Sequence, residues 1–140
     1  MDASSDLAER ILDSAGDAII FADSKGTIRR WSRAAAAPFG FAPEEALGNS
    51  LDIIIPIHLR AAHWRGFDAA IKSGALRLEG RPTLIRASHK SGRKLYVELT
   101  FALVSAGGTA EGAVAVARDV TERVERERAA GQPSARDASQ

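Results

Sequence analysis

In the stretch "IIIPIHLRAAHWRGFDAAIKSGALRLEGRPT", residues 53–83, one histidine occupies a position where an apolar side chain is expected. On a helical wheel Leu59, Ala62, His63, Gly66, Phe67, Ala70 and Ile71 share a face, while Arg60, Arg65, Asp68 and Lys72 lie largely on the other. A buried imidazole without a partner is costly. His63 must therefore be neutral and hydrogen-bonded to a carbonyl, or coordinated. Neutral imidazole is the commonest protein ligand for haem iron, and Ala62 and Gly66 beside it leave room for a flat group to approach. On the residues alone both readings stand, a core histidine and an iron ligand. His58 comes near the helix start and off the stripe, where capping or exposure suits it. His89 sits in the polar turn "ASHKSGR" and reads as solvated.

The elements that would position His63 belong to a chain of 140 residues, 45% hydrophobic, with 19 basic and 18 acidic side chains. That size suits one domain with one core. A net charge of +1 gives no case for a nucleic-acid partner. Without cysteine there is no disulfide, thiolate metal site, thiol nucleophile or cysteinyl–flavin adduct. The start "MDASSDLAER" lacks the basic and apolar regions of a signal peptide, and no apolar run approaches the ~20 residues of a membrane span. The expectation is a soluble cytoplasmic protein that does not engage a membrane. Phosphate-cradling glycine loops, zinc-ligand spacings and a credible serine triad are missing from the sequence.

Residues 4–15 carry Leu7, Ile11 and Leu12 at helical spacing. "DAIIFADSKGTIRRW" reads as a hairpin about Asp-Ser-Lys-Gly. Short helical pieces follow, broken by Pro38, Gly40, Pro43 and Gly48; Pro43-Glu44-Glu45 fits a helix start. The His63 helix is predicted over His58–Ser73, between Pro56 and Gly74. Three β segments are predicted at about 76–88, 94–104 and 112–119, with turns at Ser91-Gly92 and Gly107-Gly108. Leu95, Val97, Leu99, Phe101 and Leu103 alternate with Tyr96, Glu98 and Thr100, as a sheet with one buried face requires. A charged helix in "DVTERVERERAA" closes the pattern. The organisation expected is an N-terminal helical cap (1–15), a core (16–119), a C-terminal helix (120–130) and a disordered tail (131–140). The fold class is α+β, with an antiparallel sheet covered on one face by helices.

That order, with "DAIIFADSKGTIRRWSRAAAAPFGF", "PEEALGNSL", "HKSGRKLYVELTFALV" and "GAVAVARDVTER", resembles the PAS domain over residues 5–128. The resemblance implies a single PAS domain with a five-stranded antiparallel sheet and flanking N- and C-terminal helices. Ser32 departs from the asparagine that the family often places there as a structural cap. Within the family, "IIPIHLRAAHWRGF…GALRLEGRPT" is most similar to the haem-binding branch, the oxygen sensors of the FixL and DOS type. Aligned through Ile54-Ile55-Pro56, Leu59-Arg60 and Gly74, the proximal haem ligand of that branch falls on His63.

The same alignment places Arg81 and Thr83 at the distal positions where those sensors have a methionine or an arginine. Arginine does not ligate iron, so the sixth position is expected open, with Arg81 as a clamp for an anionic or oxygen-rich guest and Thr83 as a hydroxyl donor. Leu78, Leu99 and Phe101 are expected to wall the pocket, and Arg77 is the candidate for the haem propionates. The cofactor implied is haem b, iron protoporphyrin IX. No output module follows the last helix, so a sensor reading expects a separate partner, and an enzyme reading needs none. A small stand-alone haem-PAS branch resembles N-nitroglycine lyase, and a guest carrying a carboxylate and a nitro group would suit Arg81 and Thr83. The expectation is a small haem lyase of that type acting on a nitramine. The alternatives are an oxygen, nitric oxide or redox sensor acting in trans and a haem-free interaction module. The expected partners are a small substrate or diatomic ligand and a second copy in a homodimer.

Overall fold

The computed structural model describes residues 3–75 and 80–131. After α1 (Ala3–Ser14), β1 (Ala18–Asp23) and β2 (Ile28–Trp31) form the expected hairpin. Asp23 builds its turn: one carboxylate oxygen accepts from the backbone N–H groups of Lys25 and Thr27, and the other from Arg29. Gly26 completes the turn at φ +82°, a conformation that glycine adopts at least cost. Next come α2 (Arg33–Phe39), α3 (Pro43–Ala46) and two 3-10 turns, Leu51–Ile54 and Ile57–Leu59. Ser32 precedes α2 but makes no side-chain cap; its hydroxyl accepts instead from the N–H of Ile19, tying the hairpin to the helix.

The long helix, α4, runs Arg60–Ser73. It starts two residues later than the sequence predicts, because His58 and Leu59 belong to the second 3-10 turn. Three strands follow: β3 (Thr83–Ser88), β4 (Lys94–Ala106) and β5 (Thr109–Asp119). Their bounds differ from expectation at the start of β3 and at the β4–β5 turn, while β3 ends at Ser88 and β5 at Asp119 as predicted. β3 opens only after Gly80, at φ +75°, and Pro82, which has no N–H to give to a ladder. The predicted stretch 76–79 lies outside the described residues. β4 and β5 run on past their predicted ends to meet at Gly107-Gly108, with Ala106 opposite Thr109. Both glycines have positive φ, as a two-residue hairpin turn demands.

The sheet has the order β2-β1-β5-β4-β3. One face carries Ile20, Leu95, Val97, Leu99 and Ala117, which pack with Trp31, Ala35 and Phe39 into the main core. On the other face Leu84 and Tyr96 pack under Val124 of α5 (Thr121–Ala129) and under Val120, which caps that helix. β5 ends at Asp119 opposite Val97, and one position further along β4 the Thr121 side chain continues the ladder. The Tyr96 N–H donates to Thr121 Oγ1 at 2.9 Å, and the Val120 N–H donates to the Tyr96 carbonyl at 2.9 Å. Thr121 Oγ1 in turn donates to Asp119 Oδ1.

Candidate functional site

Small side chains make the site. β5 places Ala113, Ala115 and Ala117 on the inner face, and α4 faces them with Ala62, Gly66, Ala69 and Ala70. Neither wall carries enough bulk to fill the space between them. The result is a cavity of about 780 Å³ between α4 and the sheet, within the range of about 300–1,000 Å³ typical of small-molecule sites. Phe39, Ile20, Ile85, Val97, Leu99 and Phe101 complete an apolar wall. Ala62, Arg65, Gly66, Ala69 and Ser73 line the cavity and are also exposed. The cavity therefore opens to solvent along one flank of α4.

His63 is half-buried in this wall. Its Nδ1 is buried and has no hydrogen-bond partner among the described residues. Burial holds the imidazole below its ordinary value of 6.5, against the opposing pull of the Asp52 and Asp68 carboxylates. A neutral ring at neutral pH follows. The ring lies edge-on to Trp64, with centroids 4.6 Å apart at 76°, and tilted by 33° to Phe67 at 5.8 Å. Among the described residues no carbonyl accepts a hydrogen bond from Nδ1, so the bond that a core histidine would be expected to make there is missing. An apolar cavity, small residues on both walls and a neutral imidazole in the lining together fit a flat aromatic cofactor taking one axial ligand. Among the described residues no three His, Asp or Glu side chains converge as a metal cluster, and an axial imidazole needs none.

The structure brings His63, Gly66, Leu99 and Phe101 together as expected. Arg77 and Leu78 lie outside the described residues. Arg81 is exposed, two residues ahead of β3, and is not part of the cavity wall. Thr83 is buried, donates to the Arg81 carbonyl at 3.3 Å and pairs with Leu99 across the ladder, but it too is absent from the wall. The two residues thus do not share a strand face over the cavity. The cations that the structure does place on the lining are Arg65, which is exposed, and Arg86, which is half-buried. The wheel assigns Arg65 to the polar side, yet α4 stands off the sheet, so its flank as well as its apolar stripe borders the opening. The alanine floor is a further feature beyond the sequence expectation; its signal is "GAVAVA", small residues recurring with a period of two.

Residues 6–120 match the family model described as the PAS fold. An uncharacterized protein of Azorhizobium caulinodans is 33% identical over 120 residues, 85% of this chain and 16% of that protein. The oxygen sensor protein DosP of Escherichia coli is 33% identical over 75 residues, 54% of this chain and 9% of that protein. The chain thus spans only a small part of the curated relatives it matches. Among solved structures, the PAS domain of a protein from Colwellia psychrerythraea superposes with a TM-score of 0.73 at 22% identity, covering 87% of this chain and 100% of that one. At that identity the likeness speaks to the fold, and it agrees with the five-stranded sheet and its helices described above. With the family match spanning most of the sequence, the chain belongs to the PAS family.

Proposed function

We propose that the chain binds haem b in the cavity between α4 and the sheet, with His63 as axial ligand, and serves as a sensor of a diatomic ligand or of redox state. One observation carries the reading: a neutral imidazole, flanked by Ala62 and Gly66, on the wall of an apolar cavity. Bound haem would supply an iron centre with a position open to a small ligand. The chain's own residues do the rest. Gly66 and Ala62 let a flat ring approach α4, Leu99 and Phe101 keep the interior low in polarity, and Arg65 sets a guanidinium at the mouth to meet carboxylates. Similarity to an oxygen sensor over half of the chain supports sensing as the use of such a site.

The enzyme reading, a lyase releasing nitrite from N-nitroglycine, asks Arg81 and Thr83 to reach over the cofactor. Their positions outside the wall favour the sensor. Haem-loaded chain incubated with N-nitroglycine, in both ferric and ferrous states, should release no nitrite. Nitrite from the parent but not from a His63→Ala variant would restore the lyase.

A homodimer belongs to the same proposal. Leu7 and Ile11 are exposed on α1, and Val104 and Val116 are exposed on the sheet face opposite the cavity. These are two apolar patches on one chain, which a second copy related by a twofold axis would cover together.

A further inference from the structure

A metal-ligating histidine is ordinarily oriented by a hydrogen bond from its second ring nitrogen. His63 lacks that bond, since Nδ1 is buried without a partner. Something else must fix the ring, and what touches it is aromatic. Trp64 lies edge-on to it, Phe67 is tilted against it, and Trp64 and Phe67 meet each other at 5.3 Å and 79°, so the three rings form one mutually packed cluster. Trp64 is itself anchored. Its indole N–H donates to Asp52 Oδ1 at 2.8 Å, a bond strengthened by the acceptor's charge. Asp52 is held in turn. Its N–H donates to the Ser50 hydroxyl, its carbonyl accepts from Arg60, and the Arg60 guanidinium lies 3.9 Å from its carboxylate. Behind the indole is Gly26: a Cβ there would sit 2.2 Å from the Trp64 ring. The hairpin turn leaves room for the indole only because this residue has no side chain.

We infer that Trp64, hydrogen-bonded to Asp52 and backed by Gly26, is the positioning residue for His63, fixing by ring contact the orientation that a hydrogen bond usually fixes. The inference deepens the haem reading proposed above and rests on it for its consequence, but the clamp is a property of the chain without haem.

The test uses the full chain as parent, Trp64→Phe, Asp52→Ala and Asp52→Asn. Asparagine keeps a carbonyl oxygen for the indole N–H, whereas alanine removes it. In haem-free protein, nuclear Overhauser contacts between the His63 and Phe67 rings should persist in the parent and Asp52→Asn and weaken in Asp52→Ala and Trp64→Phe. In haem-loaded protein, transfer of haem to excess apomyoglobin should be about 10- to 100-fold faster from Asp52→Ala and Trp64→Phe than from the parent, the usual cost of removing such a support. Asp52→Asn should stay near the parent. Melting temperatures measured on the same four proteins separate loss of orientation from loss of fold. Equal His63–Phe67 contacts and equal haem release in all four would overturn the clamp. If none of them, parent included, takes up haem, the cofactor reading fails, and the haem-free contacts alone decide between clamp and no clamp.

Discussion

His63 shows how far a single residue can be read from sequence. Its place on an apolar stripe between Ala62 and Gly66 was legible from helical spacing, and so was the part played by Leu99 and Phe101, whose alternation on a strand puts them on the inner face. What spacing could not give was the loneliness of Nδ1, which depends on every carbonyl that fails to reach it. Nor could it give Arg65, because a wheel assumes that a helix lies flat on its core. The His63 imidazole has a measurable signature in pH. Its folded pKa lies below its unfolded one, through burial and against Asp52 and Asp68. The unfolded chain therefore binds the extra proton first as pH falls, so stability present above the unfolded value of about 6.5 is lost as the pH drops towards the folded value. Urea midpoints measured from about pH 7 to about pH 5 should fall in the parent and fall less in His63→Leu. Parallel slopes in the two proteins would show that His63 does not titrate as its burial dictates.

At the scale of elements, the hairpin, the α3 start at Pro43 and the order of strands followed from turn residues and periodicity. The start of β3 did not. β3 opens at Thr83, after Gly80 and Pro82, and proline's missing N–H is what marks that boundary. Equally hidden was the way β5 hands over to α5, because a threonine hydroxyl that replaces a strand partner has no signature beyond the residue itself. Its energetic weight is testable. Thr121→Ala leaves the buried Tyr96 N–H without an acceptor, at a cost of roughly 1–3 kcal/mol. Thr121→Ser, which keeps the hydroxyl, should lose much less. Chemical denaturation of the three proteins reads both values, and an alanine variant as stable as the parent would mean that the N–H finds another acceptor.

For the whole molecule, the fold was legible because motifs in a fixed order select one architecture, whereas the size and the alanine floor of the cavity emerged only from packing. Small residues on α4 and on β5 are each unremarkable in sequence; facing each other they leave a space of about 780 Å³. The exposed pairs Leu7 with Ile11 and Val104 with Val116 also acquire meaning only at this scale. Light scattering coupled to gel filtration should find a dimer for the parent and a monomer for Ile11→Glu or Val116→Lys. Parent and variants eluting alike would detach those patches from self-association. No helix among the described residues is long and apolar enough to cross a membrane.

The central claim is that haem occupies the cavity on His63. Its most direct test is an optical titration of the haem-free chain with ferric haem. The prediction is a Soret band that grows to a break at one haem per chain, and a gain in melting temperature on loading, because the ligand binds only the folded state. His58→Ala and His89→Ala should reproduce that spectrum. His63→Ala should lose the stoichiometric band and recover it with added imidazole. A titration with no break, or a His63→Ala spectrum identical to the parent in both ferric and ferrous forms, would contradict the account.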